Sequence, residues 1–391
     1  MTGVSGRRAV VIGGGICGVA AAVGLSRTGW QVTVLERGNA LRETGAGMSL
    51  LTNARRCVDW LGVGDAVSEA AATMAPGGEG TRLPSGLRLA RPADPEFVRS
   101  RQLHTIVLPR PALHGILVDA MVDVTVRTGC EASTVIDHGS SAEVVFGNES
   151  LTADLVVAAD GMSSKIRRAL WPSVPPPTYS GHSVFRGIAH DIRDPEPGGS
   201  TWGHGREFGR MPLTGDRVYW YAVVNAVPGL RYTNNHAEVL RRFGRWHRPI
   251  PALLAATPPE SVLYHDVSEL ATPVESYVKG RTVLLGDAAH AMTSDLGQGA
   301  CQAFEDAVVL TAIMAAERDV PAALAEYDEQ RQPRTQMIVA ASRQMGEFKL
   351  DERRLRVLVR NVRMRLRSPK ANEAGIARLG EWQPPALTTT V

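Results

Sequence analysis

Cysteine is scarce in this sequence. The four present, Cys17, Cys57, Cys130 and Cys301, stand far apart and form no CxxC pair. That argues against a disulfide framework or a zinc site and fits a reducing, cytoplasmic setting. No uninterrupted run of 18 apolar residues occurs, so no membrane-spanning helix is expected. No signal-peptide core precedes the strand-like run that has begun by Ala9. Neither sign of charge dominates: 43 Lys and Arg against 40 Asp and Glu leave a formal +3, too little to imply a nucleic-acid partner. Internal repeats are lacking too. What is present, 391 residues at 44% hydrophobic and 21% charged, suits about two globular domains of roughly 150 residues each.

The apolar run Arg8–Ile12 ends in GGGICG, a helical pattern follows, and WQVTVLER reads as a second strand. Together they make a βαβ unit. Pro76–Leu108 is richer in Pro, Gly and Arg, after which PRPALHGILVDAMVDV returns to helix and LTADLVVAADG to a buried strand. Trp171–Pro177 is a stiff, proline-rich connector. Alternating runs across Tyr179–Leu270 predict an antiparallel sheet with one wet face, and from Arg281 the pattern is again strand, glycine bend and helix.

The predicted fold class is α/β. A Rossmann-like domain is assembled discontinuously from residues 1–75, 108–172 and 272–345. Residues 76–107 and 173–271 are inserted as an antiparallel β-sheet domain, and 346–391 form a helical segment and tail. In that last segment Leu355, Leu358, Val359, Val362 and Leu366 share one helical face, with arginines on the others. A basic amphipathic helix can lie on a membrane or bind a partner. This apolar face carries no Trp or Phe, so docking against the protein's own body is expected.

Gly13, Gly15 and Gly18 form G-x-G-x-x-G between a strand and a helix that opens through Ile16 and Cys17. The first glycine permits a tight turn, the second lets backbone approach a pyrophosphate, and the third allows close helix–strand packing. The next strand ends in Glu36, where an acid can bind a ribose diol, followed by Arg37. Two further stretches place an acid at a strand end. Asp160–Gly161 lies in DLVVAADGMSSKIRR, where an acid can bind ribose or anchor a phosphate loop, and where a plain Asp-Gly turn is the alternative. Asp287, in GDAAH, can accept hydrogen bonds from a polyol. Eight residues later the helix start Leu296–Gly297–Gln298–Gly299–Ala300 offers bare backbone N–H groups to something electron-rich.

GxGxxG, "DG" and "GD" in this order resemble the single-component (group A) FAD-dependent monooxygenases of the aromatic-hydroxylase type, which share the para-hydroxybenzoate hydroxylase fold. Weaker echoes are GAGMSLLTNA (Gly45–Ala54), PRPALHGIL, YSGHSVFRGI (Tyr179–Ile188) and YDEQRQPRT. They look nearest the branch holding salicylate and urate hydroxylases and zeaxanthin-epoxidase-like enzymes. The resemblance implies bound FAD. Glu36 and Arg37 would serve the adenosine, Asp160 and Gly161 the pyrophosphate and nucleotide entry, and Asp287 the ribityl chain. Arg110 would lie on the flavin side, and residues 296–300 against the isoalloxazine ring. Gly47 and Met48, with Arg42 and Ala132 on looser motifs, fall where the family's cofactor contacts lie. The resemblance also implies that NADPH or NADH reduces FAD and that dioxygen then gives a flavin hydroperoxide. One oxygen atom is thereby inserted into an aromatic or polyunsaturated small molecule, by hydroxylation or epoxidation.

The substrate needs a base or an orienting cation. Arg186, in FRG, leads the candidates, followed by Tyr219 and Tyr221, which share a face at period two; His182 and His204 are further options. His290 is expected to hold the bend. At Thr293–Ser294–Asp295 the chain departs from relatives that read TPD or PPN, so Ser294 stands where a stiff residue is usual. Asp295 either caps the following helix or touches substrate, with capping expected. No metal is implied, and the assembly is expected to be a monomer or homodimer. Two other readings stay open: a flavoenzyme of other chemistry, such as a reductase or halogenase (although W-x-W-x-I-P is missing), and a non-catalytic flavin-binding pathway protein.

Overall fold

Residues 6–386 are described by the computed structural model, apart from 44, 75–77, 194–196 and 318. The domain boundary expected at residues 75–76 lies outside the described residues. The first sheet has six strands in the order Val278–Lys279, Thr282–Leu284, Leu155–Ala158, Arg8–Ile12, Gln31–Leu35 and Val124–Arg127. All neighbours run parallel except the first two, which form a short hairpin. Leu155–Ala158 is buried at every position. Such continuous burial is what a parallel strand covered on both faces requires.

Helix Ile16–Arg27 packs on this sheet and against Gly299–Ala316, so closely that a Cβ at Gly24 would meet the Thr311 side chain. Gly299–Ala316 is long and apolar enough to cross a membrane by length and composition. It is mostly buried in the protein core and carries the buried polar residues Gln302, Glu305 and Asp306, so it reads as a core helix.

The second large sheet has seven strands, in the order Leu263–Glu269, Thr178–Ala189, Arg217–Asn225, Arg206–Leu213, Gly199–Trp202, Thr81–Arg82 and Arg88–Ala90. Its long pairs are antiparallel. Phe185, Ala189, Phe208, Trp220 and Ala222 point to one face, under helices Asn235–Phe243 and Ile250–Ala255. The alternate residues Ile188, Met211, Leu213, Tyr219 and Tyr221 point to the other, where they meet Ala46 and Val107. A three-stranded sheet, Gly47–Leu50, Thr105–Pro109 and Ala72–Met74, lies at this junction. The fold is α/β with an inserted antiparallel sheet.

The helix Val320–Lys349 spans 30 residues, and Arg354–Leu366 follows it. A further helix, Pro369–Gly380, comes after that. The expected docking of Arg354–Leu366 is half right. It does dock, but through Val357, Arg360 and Met364, which are buried. Met364 packs with Leu89, Ala90 and Trp202, while Arg360 donates to the carbonyls of Lys349 (2.5 Å) and Gly203 (3.2 Å). The predicted docking face, Leu355 to Leu366, is turned outward.

Candidate flavin site

Four neighbouring parallel strands deliver the motif residues in a row. Thr282–Leu284 leads to Asp287, Leu155–Ala158 to Asp160, Arg8–Ile12 to Gly13, and Gln31–Leu35 to Glu36. Ligands of open parallel sheets bind beyond such carboxyl ends. Gly13 has φ +107°, and a Cβ on it would collide with the Ala159 carbonyl. A Cβ on Gly18 would strike the Gly13 carbonyl oxygen, so both positions admit only glycine. The helix from Ile16 starts at Gly15 without a side-chain cap, leaving its first N–H groups for an anion. His114 sits 2.7 Å from the Gly14 carbonyl oxygen through Nε2, behind the loop.

Glu36 accepts from the Gly14 and Gly38 backbones at 2.8 and 2.7 Å. The chain at Gly129–Cys130 is bonded to Gly38 and Glu36, which brings the neighbourhood of Ala132 to the same end. Asp160 Oδ2 accepts from the Ile166 N–H at 3.2 Å, while its Oδ1 is buried with no protein partner. A buried carboxylate oxygen of that kind calls for a hydroxyl or N–H from a ligand. Asp287 is exposed at the next strand end. Buried Arg167, which the sequence reading passed over, ties the two acidic loops together by donating to the carbonyls of Ala288 (2.7 Å) and Met162 (2.6 Å).

At the other end of the row, Arg110 opens helix Arg110–Asp119 and pairs with Glu43 at 2.8 Å, beside Gly15 and Gly45. Arg42 and Arg37 are exposed nearby. Gly297 is left-handed (φ 64°) and faces Ser49 and Leu51, next to the strand that holds Gly47 and Met48. Gln298 begins the following helix, and its Nε2 is also buried without a partner. An unpaired acceptor, an unpaired donor, bare helix N–H groups and a glycine-lined turn fit FAD. Of the residues assigned to it, Ile16 and Cys17 contribute backbone only, because Ile16 is buried and the Cys17 thiol is turned toward the Ala303 carbonyl.

Facing the glycine turn, the open face of the seven-stranded sheet carries Arg186, Tyr219 and Tyr221 together, with Arg186 directly opposite Tyr221. The Tyr219 ring lies over Gly47, leaving no room there for a side chain. Arg186 Nε is buried and finds no hydrogen-bond partner among the described residues. His204 does not join them and lies exposed at a turn.

Beside them is a buried cluster that the sequence did not reveal. Lys349, the last residue of the long helix, donates to Glu207 at 2.6 Å and pairs with Asp295 at 3.0 Å. Tyr221 donates to Glu207 at 3.3 Å, and His182 Nε2 stands 3.8 Å from Asp295. Burial alone would lower the Lys349 pKa, but Glu207 and Asp295 outweigh it and raise it. Burial, then Glu207, drives the Tyr221 phenol well above its usual value, so Tyr221 is a donor and not a base. Burial lowers His182 against the pull of Asp295, which keeps its imidazole neutral. The expected cap is therefore corrected. The helix after the bend starts at Gln298 with no side-chain cap, and Asp295 is committed to Lys349. His290 holds the bend as expected, 2.6 Å from Asp306.

A family model described as "FAD binding domain" matches residues 7–342. The aurachin C monooxygenase/isomerase of Stigmatella aurantiaca is 34% identical over 97% of this chain and 99% of its own length. The FAD-dependent urate hydroxylase of Klebsiella pneumoniae is 30% identical over 86% and 88%. Klebsiella pneumoniae HpxO, solved in complex with FAD and uric acid, superposes with a TM-score of 0.86 at 27% identity, covering 96% of this chain and 97% of that one. The fold that carries the strand-end acids, the glycine turn and the opposed sheet is thus shared along nearly its whole length with a known flavoenzyme, and the chain belongs to the FAD-binding-domain family, in its branch of group A aromatic-hydroxylase-type monooxygenases.

Proposed function

We propose that this monooxygenase uses NADH or NADPH and O2 to hydroxylate an electron-rich aromatic or heteroaromatic small molecule held between the Leu296–Ala300 turn and the sheet face of Arg186. The observation that carries the reading is the pairing of two unsatisfied sites across one junction. Among the described residues, Asp160 Oδ1 and Gln298 Nε2 lack partners on the cofactor side, and Arg186 Nε lacks one on the substrate side. FAD, when bound, supplies the redox chemistry that moves two electrons from nicotinamide to dioxygen and delivers one oxygen atom to the ring.

The chain's own residues do the rest. Glu36 would hold the adenosine and Asp287 the ribityl chain, and the helix from Ile16 would take the pyrophosphate between them. N–H groups of the 297–300 turn would be offered to a flavin ring where negative charge gathers on reduction. A half-buried guanidinium whose Nε is buried without a partner is a strong partner for a phenolate, carboxylate or carbonyl oxygen, so Arg186 orients the substrate and favours its anion. Tyr219 and Met211 supply an apolar wall that keeps water away. Glu207, Asp295 and Lys349 fix Tyr221 as a hydrogen-bond donor at the rim. The scarcity of cysteine supports a cytoplasmic setting, with the enzyme acting as a monomer or homodimer.

The test uses purified protein and a panel of phenols, quinoid compounds and heteroaromatics. Stoichiometric FAD, together with NAD(P)H oxidation and oxygen uptake that accelerate with a particular compound, is expected. Bound FAD whose reduction no compound accelerates would point to the non-catalytic reading.

A further inference from the structure

We propose that the helix Arg354–Leu366 is a peripheral docking element whose outer face binds the surface of an anionic lipid bilayer. Among the described residues, Phe348, Leu355, Leu358, Val359, Val362 and Leu366 make up six of the eleven exposed large apolar side chains. Leu355 and Leu366 are 77% and 80% exposed. Nothing in the fold covers them, because the helix is already held by its opposite side through Val357, Arg360 and Met364.

The placement of charge selects the occupant. At about 100° per residue, the five apolar residues of the helix fill an arc of roughly 100°. Arg354 and Arg365 flank one edge of that arc and Arg356 and Arg363 the other, each within roughly 60°. All four arginines are exposed. Between Glu352 and Glu373 there are seven arginines, one lysine and no acid, in a chain whose net charge is only +3. An apolar stripe bordered on both sides by long basic side chains matches the boundary between acyl chains and anionic headgroups. A shallow groove of about 370 Å³ between Phe348 and the helix, lined by Leu355, Arg356, Val359 and Arg363 with one acid, Asp351, 3.9 Å from Arg356, adds to the same face.

The stripe suits other occupants less well. A second copy would have to bring its own flanking arginines against these, with only Asp351 and Glu352 at the N-terminal edge of the helix to pair them. A nucleic acid would meet leucines where phosphate contacts are needed.

The FAD-loaded full chain is sedimented with vesicles of phosphatidylcholine alone and of phosphatidylcholine containing about one-third phosphatidylglycerol. Partition to the anionic vesicles, weakened by salt and nearly absent with the neutral ones, is expected. The triple variant L355S/L358S/L366S should lower it about tenfold or more. Arg354→Gln and Arg365→Gln should each lower it about five-fold. Melting temperature and flavin content should stay as in the parent, since none of these side chains is buried. Failure of the parent chain to bind either vesicle would overturn the proposal, as would unchanged binding by the triple variant. A vesicle-free dimer that the triple variant turns into a monomer would assign the face to a second copy instead. Because none of these readings involves turnover, they stand or fall apart from the proposed reaction.

Discussion

Two buried ion clusters touch the segment Gly286–Asp306, and they are finished differently. Behind the flavin turn, Arg331 reaches Asp306 at 2.7 Å, Glu305 at 2.5 Å and the Gln302 side chain at 2.8 Å. Arg334 and Asn53 complete Glu305, while Gly286 and His290 complete Asp306. Burial alone would raise the Asp306 pKa, but His290 and Arg331 hold it at about 2. On the substrate side, Lys349 serves two carboxylates with no second cation in the pair, and both His182 Nε2 and Asp295 Oδ2 are buried without a hydrogen bond. In the first cluster every carboxylate oxygen is satisfied, although Asn53 Oδ1 and His290 Nδ1 at its edge are open. Carboxylates held in that way fix one geometry, whereas an open carboxylate oxygen keeps capacity for a ligand or a proton. The first cluster is a brace, and the second borders the chemistry.

Arg331→Met should show the largest effect. It removes every contact of a fully buried guanidinium, so a loss of about 3–5 kcal/mol in chemical denaturation is expected, with retained FAD falling in parallel. Lys349→Met should cost less at neutral pH, because Glu207 and Asp295 can relieve each other by binding a proton. Its sign with pH separates it from the brace. Without the lysine, a carboxyl whose folded-state pKa is raised binds more protons folded than unfolded, so stability is greatest in acid and falls as pH rises. The deficit of Lys349→Met against the parent should therefore widen from pH 5 to pH 8 in parallel denaturation curves. A constant deficit would place the cluster with the brace.

The two regions also differ in how far the sequence disclosed them. The flavin side was legible because its signals are local: glycine spacing across Gly13–Gly18, and an acid at three of the four strand ends. Its brace was half visible through YDEQRQPRT, which contains Arg331 and Arg334. The substrate-side cluster joins Lys349 to Glu207 across 142 residues and to Asp295 across 54. No periodicity carries such pairings; they exist only once the long helix has ended against the sheet. The helix Arg354–Leu366 failed for a related reason. Its stripe was read correctly, but periodicity cannot say which side the body of the protein covers, and Val357, Arg360 and Met364 sit at helical spacing as well.

Arg186 tests whether the substrate side binds charge. Arg186→Met removes a guanidinium whose Nε has no protein partner, so folding should be little affected. An oxygen-bearing substrate would lose a charge-assisted hydrogen bond of about 1.5–3 kcal/mol, roughly ten- to a hundredfold in KM or kcat/KM. FAD affinity should not move. Equal losses for FAD and substrate would mean that Arg186 supports the fold and does not read the ligand.

Ser294→Pro should have the smallest effect on stability and the most specific one on function. Ser294 is the first residue of the short helix Ser294–Leu296 and is exposed, and Thr293 before it is extended at ψ 155°. Both conditions admit proline. Thr293 is also fixed independently, its carbonyl accepting from Ser342 Oγ at 2.8 Å. A stability change within about 1 kcal/mol is therefore expected, with FAD content intact. What proline removes is one N–H and one hydroxyl beside the flavin turn, next to Asp295 and its lysine. The fraction of consumed NAD(P)H that ends in hydroxylated product should shift accordingly, measured as product formed per nicotinamide oxidised. An unchanged ratio would show that the serine is neutral, and that the two clusters set the bend without help from the residue between them.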